Sequence, residues 1–505
     1  MTTLVRGASP TLVRDALTVL QPGFTGTTPP DWLLRRIGEG LASVGVFGRN
    51  VTDPEQLTAL TARLRAERDD LLVAIDEESG DVTRLEVRTG SSFPGNYALG
   101  TVDDTDLTRA VAAELGRRLA ACGIDFDWAP SADVNSDPDN PVIGVRSFGA
   151  DPQLAARHTV AYIEGLQSAG VVACTKHFPG HGDTNVDSHH AIPRIDVDLA
   201  TLHARELVPF RAAIAAGSKS VMSAHILLPA LDPDRPATLS PQILTGLLRQ
   251  ELGYDGLIVT DGMEMQAIAS TYGIERGSVL ALAAGADALC VGGGLADEGT
   301  VLRLRDALVA AVRTGELPEE RLADAAARVR ALASWTQAHR ARGAETGPGA
   351  ASEEGTAPGA DIGLVAARRA LRVTGTREPL TGPAYVAAFT PVTNFAVGDE
   401  TPWGVGPELA RLLPSTTTGT YASDVAVDRV LRDAGERPIV AVVRDTHRHP
   451  WMARTLDALV TARPDTVVVE MGLNQAPPRG ALHIATHGAA RVCGTAAAEV
   501  IAGVA

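Results

Sequence analysis

The sequence predicts an α/β protein with two domains, a (β/α)8 barrel followed by a smaller α/β sandwich. Short apolar, β-rich runs alternate with helical patterns from about residue 40 to 295. A stretch of linker composition then interrupts the periodicity, and a second set of strand-like runs follows it. Alternating strands and helices are typical of parallel sheets whose strands are joined by crossover helices.

The predicted barrel strands are short runs that lack polar alternation, such as LLVAI and GLIVT. Strands of this kind are covered on both faces. They are predicted at residues 44–47, 71–75, 124–128, 171–175, 220–222, 257–260 and 288–291. Apolar residues at helical spacing lie between them. Seven or eight such units in roughly 330 residues match the size of a (β/α)8 barrel, with a doubly wound open sheet as the alternative.

The domain boundary is predicted at GAETGPGAASEEGTAPG, residues 343–359, which has linker composition. We therefore predict a first domain at 1–340, a linker at 341–360 and a second domain at 361–505. Strands of the second domain are predicted at residues 385–389, 439–443, 466–471 and 482–485. The sequence His447-Arg448-His449 could bind an anion or a metal, but solvated loop residues are the favoured interpretation.

Composition and charge restrict the class of protein. The 505 residues are 45% hydrophobic and 21% charged, which is typical of a folded globular chain. The net charge of −16 argues against nucleic acid as a partner, because a phosphate backbone requires a basic surface. The N-terminus lacks a signal-peptide pattern and no run of eighteen apolar residues occurs, so we expect a cytoplasmic protein without a membrane partner. The four separated cysteines are predicted to be buried free thiols.

The stretch KHFPGHGDTNVDSHH, residues 176–190, concentrates polar chemistry. It contains four of the twelve histidines and directly follows a predicted strand. A βα loop in this position lies on the face where barrel enzymes assemble their active sites.

Three interpretations of this loop compete. A metal site would use His177 and His181 with Asp187 or His189, but the spacing matches no standard zinc pattern and Lys176 would oppose the charge of the ion. A second interpretation gives these residues turn and packing roles. In the third, Asp187 holds one ring nitrogen of His189, which then exchanges a proton with a leaving oxygen and with water.

Other predicted strand ends supply carboxylates and cations. Asp261 follows LIVT, and a carboxylate there is either catalytic or caps the next helix. Asp76 follows LLVAI, with Arg84 eight residues further on, and Arg146 lies in NPVIGVRSFG. Carboxylates and guanidinium groups at one mouth suit a hydroxyl-rich ligand such as a sugar.

Together these motifs resemble glycoside hydrolase family 3, in particular its bacterial β-N-acetylglucosaminidase branch. The resemblance rests on IDEESGDVTRL, NPVIGVRSFG, KHFPGHGDTNVDSH, VMSAHI and IVTDGMEM, and it spans about residues 20 to 300. It implies a TIM-type (β/α)8 catalytic domain followed by an αβα sandwich. It also implies a retaining exo-β-N-acetylglucosaminidase, which is a glycoside hydrolase of the β-N-acetylhexosaminidase type.

The resemblance assigns roles to individual residues. It implies Asp261 as nucleophile, His189 as general acid/base and Asp187 as the residue that orients His189. The residues that it implies for binding the sugar are Asp76, Arg84, Arg146, Lys176 and His177. No metal or organic cofactor is expected. The expected substrate is an N-acetylglucosamine oligosaccharide or a muropeptide from cell-wall recycling, and no oligomeric state is predicted.

Two further functions remain open on the sequence. A neutral imidazole does not repel an anionic acceptor, so phosphate could replace water and make the enzyme a phosphorylase. A noncatalytic sugar-binding protein is the more remote alternative. The sequence also departs from the family pattern: Ser79 replaces a glycine, Asp81 an arginine, Val145 a polar residue and Gly262 a larger residue. These departures affect the expected sugar specificity.

Overall fold

The computed structural model describes residues 7–184, 192–346, 361–391, 397, 400–423 and 425–504, without the side chains of 343–346. The chain forms two compact units. The first consists of Met1–Glu77, Thr108–Pro141 and Ala150–Ala357, and the second of Glu78–Leu107, Val142–Gly149 and Pro358–Ala505.

The first unit is built on eight short parallel strands. They are β1 Leu20–Pro22, β2 Ser43–Val46, β3 Leu72–Ile75, β4 Phe126–Asp127, β5 Val172–Phe178, β6 Ser220–Ser223, β7 Leu257–Thr260 and β8 Leu289–Val291. Strands β2 to β7 pair in chain order. A bridge between Val259 and Ala288 joins β7 to β8, and β8 pairs with β1. Strand β1 lies beside β2, where Gln21 donates a hydrogen bond to Ser43, so the ring closes.

Helices follow the strands of this unit. They are α1 Pro10–Thr18, α2 Asp31–Glu39, α3 Pro54–Arg65, α5 Thr105–Ala121, α6 Pro152–Ser168, α7 Leu199–Thr201, α8 Leu207–Ala215, α9 Gln266–Ala269, α10 Ile274–Ala284, α11 Glu298–Thr314 and α12 Glu319–Thr346, with π-helical turns at Leu202–Glu206 and Gln242–Glu251. Several begin at an aspartate whose side chain accepts a backbone N–H, as Asp151 does for α6. The predicted barrel is therefore confirmed.

The second unit contains a six-stranded sheet in the order β11-β10-β12-β13-β14-β9. Its strands are β9 Arg372–Gly375, β10 Tyr385–Phe389, β11 Thr417–Tyr421, β12 Ile439–Val443, β13 Val467–Glu470 and β14 Leu482–Ala485. Only β9 is antiparallel to its neighbour. The helices are α4 Asn96–Val102, α13 Ile362–Ala370, α14 Gly406–Leu412, α15 Val427–Ala434, α16 Pro450–Ala462 and α17 Arg491–Ala502.

Alternating residues of this sheet enter two different cores. Val440 and Val442 of β12 pack with helices α13, α14 and α17, whereas Ala441 and Val443 pack with α15 and α16. Because successive side chains of a strand point to opposite faces, helices cover both faces of the sheet. The predicted αβα sandwich is confirmed.

The boundary predicted at 341–360 falls largely outside the described residues. Its described part, up to residue 346, is the end of α12. The second unit also includes the segments 78–107 and 142–149, which lie in the sequence between β3 and β4 and between β4 and β5. None of the helices in the described part of the chain is both long and apolar enough to span a membrane. All four cysteines are buried free thiols, as predicted.

Candidate active site

Strand alternation places three of the predicted site residues on the inner side of the barrel. One core cluster contains Leu72 and Ala74 of β3, Val172 and Cys174 of β5, and Leu257 and Val259 of β7. Asp76, Lys176 and Asp261 come two residues after Ala74, Cys174 and Val259, respectively. Because alternate side chains share a face, these three polar groups follow the apolar core towards the carboxyl end of the barrel.

Lys176 and Asp76 form a close ion pair in this position. The Lys176 Nζ lies 2.6 Å from Asp76 Oδ1. The lysine side chain is 3% exposed, whereas the aspartate side chain is 20% exposed. The pair thus presents its carboxylate, rather than its ammonium, to the open side.

Asp261 is held by backbone groups. Its own N–H donates to Ser223 O at 3.2 Å, and its Oδ1 accepts the Gly262 N–H at 2.7 Å. Burial raises the pKa of the Cys290 thiol, and the nearby carboxylates of Glu264, Asp261 and Asp76 raise it further. Three carboxylates of the first unit therefore lie within electrostatic reach of one thiol of β8.

Glu264 connects the residues that follow β7 with those that follow β8. Its Oε1 accepts the N–H groups of Gly292 at 2.9 Å and Gly294 at 3.2 Å. Glu264 was not predicted as a site residue from the sequence. The acidic residue three positions after Asp261 in IVTDGMEM was the signal in the sequence from which it could have been predicted.

Asp133 organises the beginning of the histidine-rich segment. Its Oδ2 accepts the Nδ1–H of His177 at 2.6 Å, and its Oδ1 accepts the backbone N–H of His181 at 2.7 Å. Burial acts to raise the pKa of Asp133, but the charges and hydrogen bonds of His177 and His181 outweigh it and lower that pKa to about 2. Asp133 is therefore an ionised acceptor in the folded protein.

His181 is buried beside this carboxylate. Burial and repulsion from His177 lower the pKa of His181 to about 4, against attraction from Asp133 and Asp261. The ring is therefore neutral at neutral pH. The effect of Asp261 on this pKa also shows that the residues of β7 and of the histidine-rich segment lie within electrostatic reach of one another.

The structure differs from the sequence prediction at the start of this segment. Lys176, His177 and Phe178 were expected in a βα loop, but β5 continues through Phe178. Bridges of Lys176 to Ser131 and of Phe178 to Ser223 extend the strand beyond its apolar run. The register of β5 against β6 shifts between Thr175 and Phe178, so the two polar residues lie at an irregularity of the strand.

Two glycines of the segment have packing roles. A Cβ on Gly182 would lie 1.7 Å from Val134 O, and Gly180 has a φ of +126° and lies against Glu206. Burial raises the pKa of Glu206 to about 7, although its partner Arg205 lowers it. Arg205 also pairs with Asp183 of the segment. The packing interpretation therefore holds for the glycines.

The predicted acid/base pair, Asp187 and His189, lies outside the described residues. Its role rests on the sequence. In the described part of the chain, no three His, Cys, Asp or Glu side chains form a group that could hold a metal ion.

Arg84 and Arg146 belong to the second unit. Arg146 is buried and forms a bidentate ion pair with Glu78, at 2.9 Å from Nε and 2.6 Å from Nη2. Arg84 is partly buried and donates to Thr83 O at 3.4 Å. Glu78 was not predicted from the sequence as the partner of Arg146.

The structure shows the local surroundings of two departures from the family pattern in the second unit. Ser79 has a φ of +66°, a left-handed backbone conformation that favours glycine. Asp81 forms an ion pair with Arg444, and its Oδ1 accepts the Ala489 N–H at 2.7 Å. The acidic residue at 81 therefore matches a cation supplied by the end of β12.

Comparison with known families agrees with this geometry. The model of the glycosyl hydrolase family 3 N terminal domain matches residues 37–332. The chain belongs to glycosyl hydrolase family 3. The match covers the strands that carry Asp76, Lys176 and Asp261, and it confirms the resemblance seen in the sequence motifs.

This family 3 chain is similar to proteins with related names. It is 36% identical over 344 residues to beta-hexosaminidase A of Pseudoalteromonas piscicida, covering 63% of this chain and 56% of that protein. It is 38% identical over 258 residues to a beta-hexosaminidase of Chromobacterium violaceum, covering 50% and 71%. The match therefore spans little more than half the length of the first relative.

A solved structure is similar over nearly the whole chain. It is the family 3 beta-N-acetylglucosaminidase of Paenibacillus sp. str. FPU-7, with a TM-score of 0.85 and 33% identity. The likeness covers 98% of this chain and 97% of that protein. Both the barrel and the sandwich are thus shared with this family member.

Proposed function

We propose that this protein is a retaining exo-β-N-acetylglucosaminidase that removes nonreducing terminal N-acetylglucosamine. The observation that carries the proposal is the convergence of Asp76, Lys176 and Asp261 at the carboxyl end of one barrel. Family membership and the names of the similar proteins support the same substrate class.

In the proposed reaction, Asp261 attacks the anomeric carbon while the bond to the leaving oxygen breaks. The Gly262 N–H, 2.7 Å from Asp261 Oδ1, fixes the direction of the carboxylate. His189, held by Asp187, gives its proton to the leaving oxygen. A glycosyl ester on Asp261 results.

In the second step, His189 takes a proton from water, and the water oxygen attacks the anomeric carbon from the face that the leaving group vacated. The ester bond to Asp261 breaks, and the sugar is released with its original β configuration. The roles of Asp187 and His189 rest on the sequence motif GHGDTNVDSH.

Sugar recognition is proposed to involve Asp76, Lys176 and His177. The partly exposed Asp76 carboxylate, which is paired with Lys176, accepts two adjacent hydroxyl protons of a sugar. His177 is oriented by Asp133 through Nδ1. Arg84 and Arg146 are proposed as further sugar-binding residues on the sequence resemblance.

One assay separates the candidate functions. The protein is incubated with an aryl N-acetyl-β-glucosaminide and an aryl β-glucoside, each with and without inorganic phosphate, and the first sugar product is identified by NMR. We expect β-N-acetylglucosamine in both buffers. Formation of the sugar 1-phosphate would identify a phosphorylase, and binding without turnover would identify a sugar-binding protein. Release of the α-anomer first would contradict the retaining mechanism.

The natural substrate is proposed to be an N-acetylglucosamine oligosaccharide or a muropeptide released during cell-wall recycling. Hydrolysis of purified muropeptides, with chitobiose as the comparison substrate, distinguishes the two. A clear preference in kcat/KM for muropeptides would support the recycling role, whereas a preference for chitobiose would contradict it.

A further inference from the structure

The motif VMSAHI passes through the end of β6, and its histidine has no part in the reaction described above. His225 is completely buried. Its Nε2 lies 3.0 Å from the carbonyl oxygen of Gly262, and its Nδ1 lies 2.9 Å from Thr238 Oγ1. The imidazole therefore joins the short helix Ala237–Leu239 to the residue that follows Asp261.

The partner of Nε2 determines which atom of this contact carries the proton. A carbonyl oxygen can only accept, so Nε2 of His225 carries the proton that is donated to Gly262 O. Nδ1 lies against the Thr238 hydroxyl, which donates its one proton to the carbonyl oxygen of Ala224 at 2.9 Å. Ser223 Oγ lies 2.9 Å from Thr238 Oγ1 and supplies the next donor of the chain. A hydrogen-bonded series thus runs from Ser223 through Thr238 and His225 to Gly262.

Gly262 connects this series to the predicted nucleophile. Its carbonyl oxygen accepts from His225, and its N–H donates to Asp261 Oδ1. The N–H of Asp261 in turn donates to Ser223 O. The hydrogen-bonded series therefore begins at Ser223, whose carbonyl oxygen accepts the Asp261 N–H. It ends at the carbonyl oxygen of Gly262, the residue that follows Asp261.

Residue 262 needs this restraint because it is a glycine. A Cβ there would meet no atom closer than 3.4 Å, so packing does not explain the glycine. Glycine leaves the backbone more conformational freedom than any other residue. A hydrogen bond to its carbonyl oxygen reduces that freedom beside a carboxylate whose direction matters.

We propose that His225 is a positioning residue, which fixes the Gly262 backbone and thereby aims the Asp261 carboxylate at the anomeric carbon. This inference rests on the proposed role of Asp261 as nucleophile. A carboxylate that is held in one direction reaches the attack geometry without further ordering, and small displacements of such groups cost large factors in rate.

The variants separate the donor function from the volume of the side chain. His225→Gln keeps an N–H close to the position of Nε2, whereas His225→Ala removes it. Thr238→Val keeps the volume of residue 238 but removes the hydroxyl that contacts Nδ1 of His225. The control is His158, a second buried histidine, whose Nδ1 lies 2.8 Å from Thr108 Oγ1. His158→Ala and His158→Gln test the loss of a similar histidine elsewhere in the first unit.

The readout is covalent labelling by a 5-fluoro N-acetylglucosaminyl fluoride, which forms the glycosyl-enzyme and slows its hydrolysis. Mass spectrometry gives the labelling rate and the labelled residue, and Tm is measured in parallel. We expect His225→Ala to slow labelling by about 10- to 100-fold and Thr238→Val by a smaller factor, with most of the rate recovered in His225→Gln. The His158 variants should lower Tm without slowing labelling.

Labelling of His225→Ala and Thr238→Val at the wild-type rate would overturn the proposal, whatever happens to Tm. An equal loss of rate in His225→Gln and His225→Ala would also contradict it. If His225→Ala does not fold, Thr238→Val decides the question alone. A wild-type label on a residue other than Asp261 would instead refute the proposed nucleophile, so the two failures are distinguishable.

Discussion

The ammonium of Lys176 lies 2.6 Å from the carboxylate of Asp76, and this ion pair joins the ends of β5 and β3 across β4. Buried charges are stable when they are paired, so each group requires the other. The partial exposure of Asp76 leaves room for a polar ligand on the same carboxylate. The pair therefore combines a structural role with a proposed role in sugar binding.

Lys176→Arg should weaken substrate binding. A guanidinium is larger than an ammonium, and the side chain of Lys176 is 3% exposed, so the larger group has no space beside Asp76. We expect KM for an aryl N-acetylglucosaminide to rise by about tenfold, which corresponds to about 1.4 kcal/mol. Lys219, the only other lysine, contacts the Trp335 ring and provides the matched control Lys219→Arg. An unchanged KM in Lys176→Arg would contradict the prediction.

Asp261→Asn should remove turnover, because the amide cannot form the glycosyl ester. We expect kcat to fall on the order of 10³-fold or more, with a smaller change in KM. The control is Asp255→Asn, which alters a side chain that is 89% exposed. In Asp261→Gly, azide should attack from the vacated side and form the α-glycosyl azide. A β-azide, or a normal rate in Asp261→Asn, would be incompatible with the assigned nucleophile.

His189→Ala should slow poor leaving groups far more than activated ones. Only a poor leaving group needs a proton in the transition state, and general acid catalysis contributes about 10²- to 10⁴-fold. Rates for a chitobioside and for a dinitrophenyl N-acetylglucosaminide provide the comparison. His203→Ala, a partly exposed histidine of the described chain, is the control. Equal losses on both substrates would argue against the acid/base role.

The sequence predicted the buried strands well and the edge strands poorly. Runs such as LLVAI and IVAVV coincide with β3 and β12, because a strand covered on both faces is continuously apolar. The exposed edge strand β9 and the threonine-rich strand β11 were missed, since neither contains an apolar run. Strand β1 was missed because its three residues include glutamine and proline.

Two of the site residues that the sequence identified follow a strand directly. Asp76 and Asp261 stand immediately after apolar runs, which gave them a position in the barrel. Asp133 was missed because its importance depends on hydrogen bonds to His177 and His181, residues 44 and 48 positions away. Such long-range contacts leave no trace in local spacing. The buried pairing of Arg146 with Glu78, 68 residues away, was missed for the same reason.

Asp133→Asn should destabilise the protein above pH 4. The folded-state pKa of Asp133 is about 2, below the usual 3.8, so its stabilising contribution is present above pH 3.8 and is lost as the pH falls towards 2. The pKa difference corresponds to about 2 kcal/mol at neutral pH. Urea unfolding between pH 3 and 7 measures the difference between variant and wild type. A difference that stays constant over this range would contradict the assigned pKa.

Asp127→Asn should have the opposite pH dependence. Asp127 is completely buried; its Oδ1 accepts the Glu77 N–H at 3.0 Å, and Oδ2 has no hydrogen-bond partner in the described chain. Burial raises the pKa of this carboxyl well above 3.8, against the hydrogen bond from Glu77. The carboxylic acid is therefore favoured in the folded protein, and asparagine keeps the Oδ1 acceptor.

A raised pKa stabilises the folded state fully below pH 3.8 and progressively less as the pH rises towards the folded-state value. Asp127→Asn should therefore gain stability over the wild type with increasing pH, by at most about 1.4 kcal/mol per pH unit. Urea unfolding from pH 4 to 8 measures this gain, with Asp255→Asn as the exposed control. Loss of stability in Asp127→Asn that grows with pH would show that Asp127 is ionised in the barrel and that a cation, such as nearby Lys176, compensates its charge.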